Sequence, residues 1–397
     1  VKIRFLIMNA YAAGGTIRTT YNTAGHLAAN HDVEVVSVYQ RRPAARFPVD
    51  PRVRVWPLCN QVPADGDVLA HPYGESRGVA EVARRIPSVL IPSSERRYRN
   101  FTLQTDAALL RYVRSVRDGV LVSTRPGLNL AVARFGRPEV VRVGQEHMYL
   151  ASHTRPLQRR IARHYPRLDL VTTLTERDAA DYREMLGDRA PVMAVPNAVT
   201  PVTPRDHEAG PVVIAAGRLS PQKGFDRLIP AWSGVARRYP EWRLKIFGSG
   251  PDGDDLRSLV RRHALEGQIA MPGFTDRLAD EMAAAAVFVL SSRAEGFPMV
   301  LLEAMGVGLP VVSFDCRNGP ADIITDGVDG LLVPEGDQAA LTAALCSLIE
   351  SPARRLEMGR AARRTAQRYQ LDVIGARWEQ ILADLVERKA HATRGER

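Results

Sequence analysis

Apolar residues along the chain fall into two recurring patterns. Short continuous runs of β-branched and aliphatic residues occur in the first half at Ile3–Met8, Val33–Tyr39, Val120–Ser123, Val140–Gly144, Leu170–Leu174 and Val192–Val195, separated by longer amphipathic stretches. The second half repeats the arrangement at Val212–Ala216, Arg243–Phe247, Val287–Leu290, Val311–Phe314 and Leu331–Val333. Runs that are apolar on both faces predict strands of parallel sheets covered by helices on each side. Two such series predict an α/β protein of two Rossmann-like, doubly wound domains facing across a cleft. Open sheets of this kind take ligands at the carboxyl ends of their strands.

The break between the series is legible at VMAVPNAVTPVTPRDHEAGP, where Pro196, Pro201 and Pro204 fall close together. Such a segment cannot continue a helix or sit inside a sheet, and it reads as an interdomain connector. Residues 41–78 are also rich in proline and read as a long loop of the first domain. Near the end, Val373, Ile374, Trp378, Ile381, Leu382 and Leu385 form one helical stripe within Asp372–Lys389. The expected organisation is a first domain of 1–197 plus 371–397, with a returning helix, and a second of 198–370.

Composition narrows the class. The 397 residues exceed one ordinary core, and 45% hydrophobic with 25% charged residues fits a globular protein and excludes a fibrous or disordered one. Three scattered cysteines, Cys59, Cys316 and Cys346, argue against a disulfide framework and against a cysteine-based zinc site. The longest apolar run, Met282–Leu290, is far short of the ~20 residues of a spanning helix. The opening VKIRFLIMNA reads as a buried first strand rather than a signal peptide. The expected location is cytoplasmic, at most peripheral on the inner face of the plasma membrane.

The net charge of +10 is uneven: residues 1–199 hold 29 basic against 18 acidic groups, residues 200–397 hold 25 against 26. Nucleic acid would explain a basic half, but no RNP, helix-turn-helix or zinc motif is present and aromatics are only 6%. No nucleic-acid partner is therefore expected. Arginines cluster at Arg155, Arg159, Arg160, Arg163 and Arg167, which suits an anionic membrane surface or an anionic acceptor.

Three segments carry candidate chemistry. In SSRAEGFPMVLLEAMGVGLP (Ser291–Pro310) a strand enters a loop and then a helix whose first turn would take Pro298. Free backbone N–H groups and the helix dipole make that junction an anion site suited to phosphate. Glu295 and Glu303 bracket it; on their own they read equally as a loop charge and a solvated helix face. In GRLSPQKGFDRLI, Arg218 and Lys223 lie on a strand-end loop, the guanidinium a planar fork and the ammonium a mobile point charge for phosphate oxygens. In NAYAAGGTIR, Gly14-Gly15 follows the first strand and permits close approach to a ligand, or is only a turn. Asp65-Gly66-Asp67 and Asp252-Gly253-Asp254 read D-x-D, a metal-site pattern, but are better taken as solvated caps.

Taken in order, these segments resemble the retaining family-4 glycosyltransferases of GT-B fold. Glu295 and Glu303 match the E-x7-E signature, Arg218 and Lys223 the diphosphate-binding pair, Pro196-Asn197 the interdomain turn, and GSGPD and DGVDGLLVPEGD two strand-end segments. The resemblance implies a nucleotide-diphospho-sugar donor, most simply a UDP-sugar, as co-substrate, with no cofactor and no metal. Glu295 would hold the sugar hydroxyls, Glu303 the ribose, and the backbone of Gly296, Phe297, Pro298, Met299 and Val300 the sugar and phosphate. Gly15 would line the donor from the first domain, and His147, in QEHMYL, would stand near the reacting carbon. The implied activity is transfer of a hexose or N-acetylhexosamine to a hydroxyl of a cell-envelope glycan, lipid-linked or phosphate-bearing. A GDP-mannose-dependent mannosyltransferase and a non-catalytic sugar-nucleotide sensor are the alternatives. The stretch FDCRNGPADIITDG resembles a turn of enzymes that build bacterial surface glycans, with Arg317, Asn318 and Asp322 departing from its usual residues.

Overall fold

The computed structural model describes residues 1–62, 82–203 and 210–395. Asp65 and Asp67, and Pro204 in the connector, lie outside them. The chain divides into two units, Val1–Ala198 with Leu371–Arg397, and Val199–Gln370.

Unit 1 holds a parallel sheet of seven strands in the order β3-β2-β1-β4-β5-β6-β7. These are β1 (Lys2–Ile7), β2 (Asp32–Gln40), β3 (Arg54–Asn60), β4 (Val120–Ser123), β5 (Val141–Gln145), β6 (Leu170–Thr173) and β7 (Val192–Ala194). Side chains alternate across it: Ile3, Phe5 and Ile7 enter the core on one face, and Leu6 enters the core on the other. The first of these cores is closed by Ile374, Trp378, Ile381, Leu382 and Leu385 of the helix Leu371–Gly395. Arg4, also within β1, is buried and neutralised by Glu34 at 3.2 Å and Asp118 at 2.7 Å.

Residues 41–78, expected as loop throughout, contain β3. The strand includes Pro57, which pairs in register with Ser37 of β2. Because β3 is the sheet edge, the missing proline N–H breaks no inner ladder.

Unit 2 holds a parallel sheet of six strands in the order β10-β9-β8-β11-β12-β13. They are β8 (Val212–Ala216), β9 (Arg243–Phe247), β10 (Ile269–Gly273), β11 (Val287–Leu290), β12 (Val311–Asp315) and β13 (Gly330–Pro334). From β8 the chain moves to β9 and β10 on one side, then returns to β11 on the other, so the order reverses between β8 and β11. The crevice beyond the carboxyl ends of those two neighbours is where such a sheet takes a ligand. In unit 1 the reversal lies between β1 and β4.

Candidate functional site

The loops leaving β8 and β11 are adjacent in unit 2, and they are laced together residue by residue. Ser291 Oγ donates to Lys223 O at 2.9 Å, Arg293 N to Gln222 O at 2.8 Å, and Gln222 Nε2 to Ala294 O at 2.9 Å. Arg293 also forks onto Asp226, with N–O distances of 2.7 and 2.6 Å, and this guanidinium holds the Asp226 carboxyl below the usual carboxylate range. Gly224 makes the approach feasible: its φ is +65°, and a Cβ there would stand 2.0 Å from Ser291 O.

This lacing brings Lys223 and Glu295 together. Lys223 Nζ donates to Glu295 Oε1 at 2.6 Å, and Ser292 Oγ donates to the same oxygen at 2.6 Å. The Glu295 side chain is 7% exposed and that of Lys223 19%. Both bonds fall on Oε1, so Oε2 remains an acceptor, and the ammonium keeps two of its three donors. Arg218, on the same loop as Lys223, is exposed.

The helix Met299–Gly306 begins one residue later than expected, with Pro298 at its N-cap position. That corrects the expectation of a continuous run of backbone donors from Gly296 to Val300. Pro298 has no N–H, and the Met299 N–H turns back to Phe297 O at 2.9 Å. Gly296, Phe297 and Val300 are left to supply donors, with the helix dipole behind them. Phe297 itself is buried against Tyr369, ring centroids 5.8 Å apart, so its side chain serves packing. Met299, Val300 and Glu303 are half-buried. Of the D-x-D candidates, Asp252 stands at the N-cap of the helix Gly253–Arg262 without a side-chain cap bond, and Asp254 pairs with Arg257 at 3.2 Å on the surface.

Gly15 and His147 belong to unit 1. Gly15 opens the helix Gly15–Leu27 after β1 and is exposed, with open space where a Cβ would be. His147 follows β5; both ring nitrogens are shielded and lack a hydrogen-bond partner. Burial, and then the nearby Arg125, lower its pKa to about 4, so it is a neutral imidazole at physiological pH.

The neighbouring Glu146 goes unremarked in the sequence, where a lone glutamate beside a histidine carries no periodic or spacing signal. It is 1% exposed, accepts from Asn129 Nδ2 at 2.9 Å and from the Tyr165 hydroxyl, and lies 3.5 Å from His153 Nε2. Close by, burial pushes the Asp178 carboxyl up to about 7, opposed by the Leu150 N–H that donates to it at 2.8 Å. The Arg293–Asp226 fork is likewise invisible in the sequence, because no local pattern links residues so far apart in the chain.

The family model of glycosyl transferases group 1 matches residues 203–365, almost all of unit 2. An exopolysaccharide phosphotransferase of Streptomyces coelicolor is 35% identical over 401 aligned positions, covering 98% of this chain and 41% of that protein. The chain thus spans less than half the length of that relative. An uncharacterised glycosyltransferase of Haemophilus influenzae is 26% identical, covering 96% of this chain and 99% of its own. The pneumococcal O-GlcNAc transferase GtfA, solved with UDP and GlcNAc, superposes with a TM-score of 0.74 at 16% identity, over 97% of this chain and 99% of its own. The fold is GT-B, and the matches support the class of GT-B glycosyltransferases.

Proposed function

We propose that this chain is a retaining glycosyltransferase, moving a hexose or N-acetylhexosamine from a UDP-sugar to a hydroxyl of a cell-envelope glycan. The observation that carries the reading is the Lys223–Glu295 pair at the reversal point of unit 2, beside a helix N-terminus. One cation and a set of N–H donors suit a diphosphate, and one carboxylate oxygen suits a sugar hydroxyl. The UDP in the GtfA structure favours uridine over the GDP-mannose alternative.

In this reading Lys223 and Arg218 take up negative charge as the diphosphate leaves, without a bound metal or other cofactor. The acceptor hydroxyl attacks the anomeric carbon on the face from which the diphosphate departs, and a phosphate oxygen accepts its proton. Glu295, held through Oε1 by Lys223 and Ser292, orients the sugar with its Oε2. Because the acceptor itself attacks on the departing face, this mechanism requires no covalent bond to Glu295. Glu303 holds the ribose. The neutral His147 is a hydrogen-bonding group of the acceptor side, since its low pKa leaves it no proton to deliver as an imidazolium.

The acceptor side is also where the positive charge lies. Arg155, Arg159, Arg160, Arg163 and Arg167 are all exposed on and just beyond the helix Arg155–His164, whose Leu157 and Ile161 face the core. An anionic membrane surface, or a phosphate-bearing acceptor, fits that helix. Among the described residues no helix is long and apolar enough to cross a membrane. Release of nucleotide diphosphate from a panel of UDP-hexoses, UDP-N-acetylhexosamines and GDP-mannose tests the reading. Turnover of one UDP-sugar supports it, turnover of GDP-mannose alone transfers it to the alternative, and tight binding without any turnover points to a sensor.

A further inference from the structure

The segment after β12, Cys316-Arg317-Asn318-Gly319, is knitted to the loop that carries Glu295. Arg317 forms an isolated parallel bridge with Ala294. A Cβ on Gly319 would lie 2.6 Å from Pro298 Cδ and 3.5 Å from Glu295 Cβ. Asn318 lies in the chain between these two contacting residues, so it belongs to the segment packed on the Glu295 loop.

Two features of Asn318 are costly. Its φ is +62°, and only Ala264 shares a positive φ among the described residues other than glycine. Asparagine is the non-glycine residue that bears this conformation best, but glycine would bear it better. Asn318 is also 2% exposed, and neither its Oδ1 nor its Nδ2 has a hydrogen-bond partner. Buried amides are normally satisfied, and one with both donor and acceptor unpaired requires an explanation. Folding alone favours a glycine at this position, which would remove the strain and the orphaned groups together.

We infer that Asn318 is a specificity-determining residue whose carboxamide hydrogen-bonds the sugar of the nucleotide-diphospho-sugar donor. A carboxamide offers a donor and an acceptor side by side, and a sugar hydroxyl is itself both donor and acceptor. A site whose buried polar group is paired only by the right hydroxyl rejects a sugar that leaves it unpaired. Both amide atoms are enclosed in this structure, so the inferred contact requires that donor entry open the 316–319 segment from 294–298. This inference rests on the donor reading proposed above.

The test is calorimetric titration of the full chain and of Asn318→Gly with UDP, GDP, UDP-glucose, UDP-galactose, UDP-N-acetylglucosamine, UDP-N-acetylgalactosamine and GDP-mannose. Glycine accepts the positive φ, so the variant is expected to melt at or above the wild-type temperature. The wild type should bind one nucleotide-sugar more tightly than its bare nucleotide. Asn318→Gly should keep the affinity for the bare nucleotide, lose about tenfold for that nucleotide-sugar, and rank the sugars less sharply. Asn318→Asp, of the same shape but without the amide donor, should share the loss. Wild-type ranking retained in either folded variant overturns the inference and leaves the donor reading standing. A wild type that binds no nucleotide or nucleotide-sugar overturns both.

Discussion

Lys223→Ala separates what the ion pair does for the fold from what it does for the chemistry. Breaking a fully buried pair costs about 3–5 kcal/mol, because the remaining charge stays in a poor solvent. Here the Lys223 side chain is 19% exposed and Ser292 still donates to Glu295, so the expected cost is about 2–3 kcal/mol. For a domain of this size that is a fall in Tm of roughly 5–10 °C. Turnover should fall independently by about 10²–10³-fold, the usual effect of losing one preorganised group facing developing charge. The double variant Lys223→Met with Glu295→Gln removes both charges, and it should recover most of the melting temperature while recovering none of the turnover. Differential scanning calorimetry and release of nucleotide diphosphate read the two effects apart. A single variant that melts at the wild-type temperature would show that the 2.6 Å contact carries no stability. A folded variant hydrolysing donor within about threefold of wild type would remove Lys223 from the mechanism.

Three further outcomes are expected. Arg293→Ala removes the fork to Asp226, whose partners are 31% and 47% exposed; stability should change by about 1 kcal/mol or less, while donor KM rises several-fold as the two loops lose register. A large loss of stability with unchanged KM would contradict that. Asp178 is the pH-dependent case. Burial raises its pKa to about 7, Glu146 and Asp181 adding to the effect while the Leu150 N–H and His153 oppose it. The folded state thus holds an extra proton between about pH 4 and 7, and this contribution to stability falls as pH rises through that window. Asp178→Asn should exceed wild type in urea stability by about 3–4 kcal/mol more at pH 8 than at pH 4, and parallel pH curves would refute the assignment. Finally, Arg159, Arg160 and Arg163 changed together to Gln should leave melting within a degree or two but weaken sedimentation with phosphatidylserine vesicles, by about 1 kcal/mol per charge. Unchanged vesicle binding would mean that the arginines are ordinary solvated surface.

Strands apolar on both faces are legible because a buried parallel strand has no polar side to blur the signal. β8, β9 and β11 run over the residues that periodicity marks. The two strands that periodicity does not mark, β3 and β10, are both sheet edges and both contain a proline, Pro57 and Pro272. An edge strand needs neither a full ladder nor two apolar faces, so its residues look like loop. The site divides in the same way. Lys223 and Glu295 are each visible within a local motif, but their mutual pairing is not, because it depends on two strand-end loops meeting at Gly224 and Ser291. The donor role expected of Pro298 and Met299 fails for a local reason. Proline has no N–H to give in any conformation, and the turn centred on it takes up the Met299 N–H that a helix starting at Pro298 would leave free.

The return of the chain to unit 1 has a consequence for biosynthesis. Unit 2 begins and ends at neighbouring points: Val199 N donates to Tyr369 O at 2.8 Å, and Val199 bridges Gln370. Everything from Val199 to Gln370 is thus a closed excursion that can fold as soon as the ribosome has released it. Unit 1, by contrast, starts first and finishes last, because Trp378, Ile381 and Leu385 seal a core begun by Ile3 and Phe5. Until those residues emerge, one face of the seven-stranded sheet is exposed to chaperones and to other nascent chains. A stop codon shortly after Gln370 would spare the second unit and leave the first as a client of quality control.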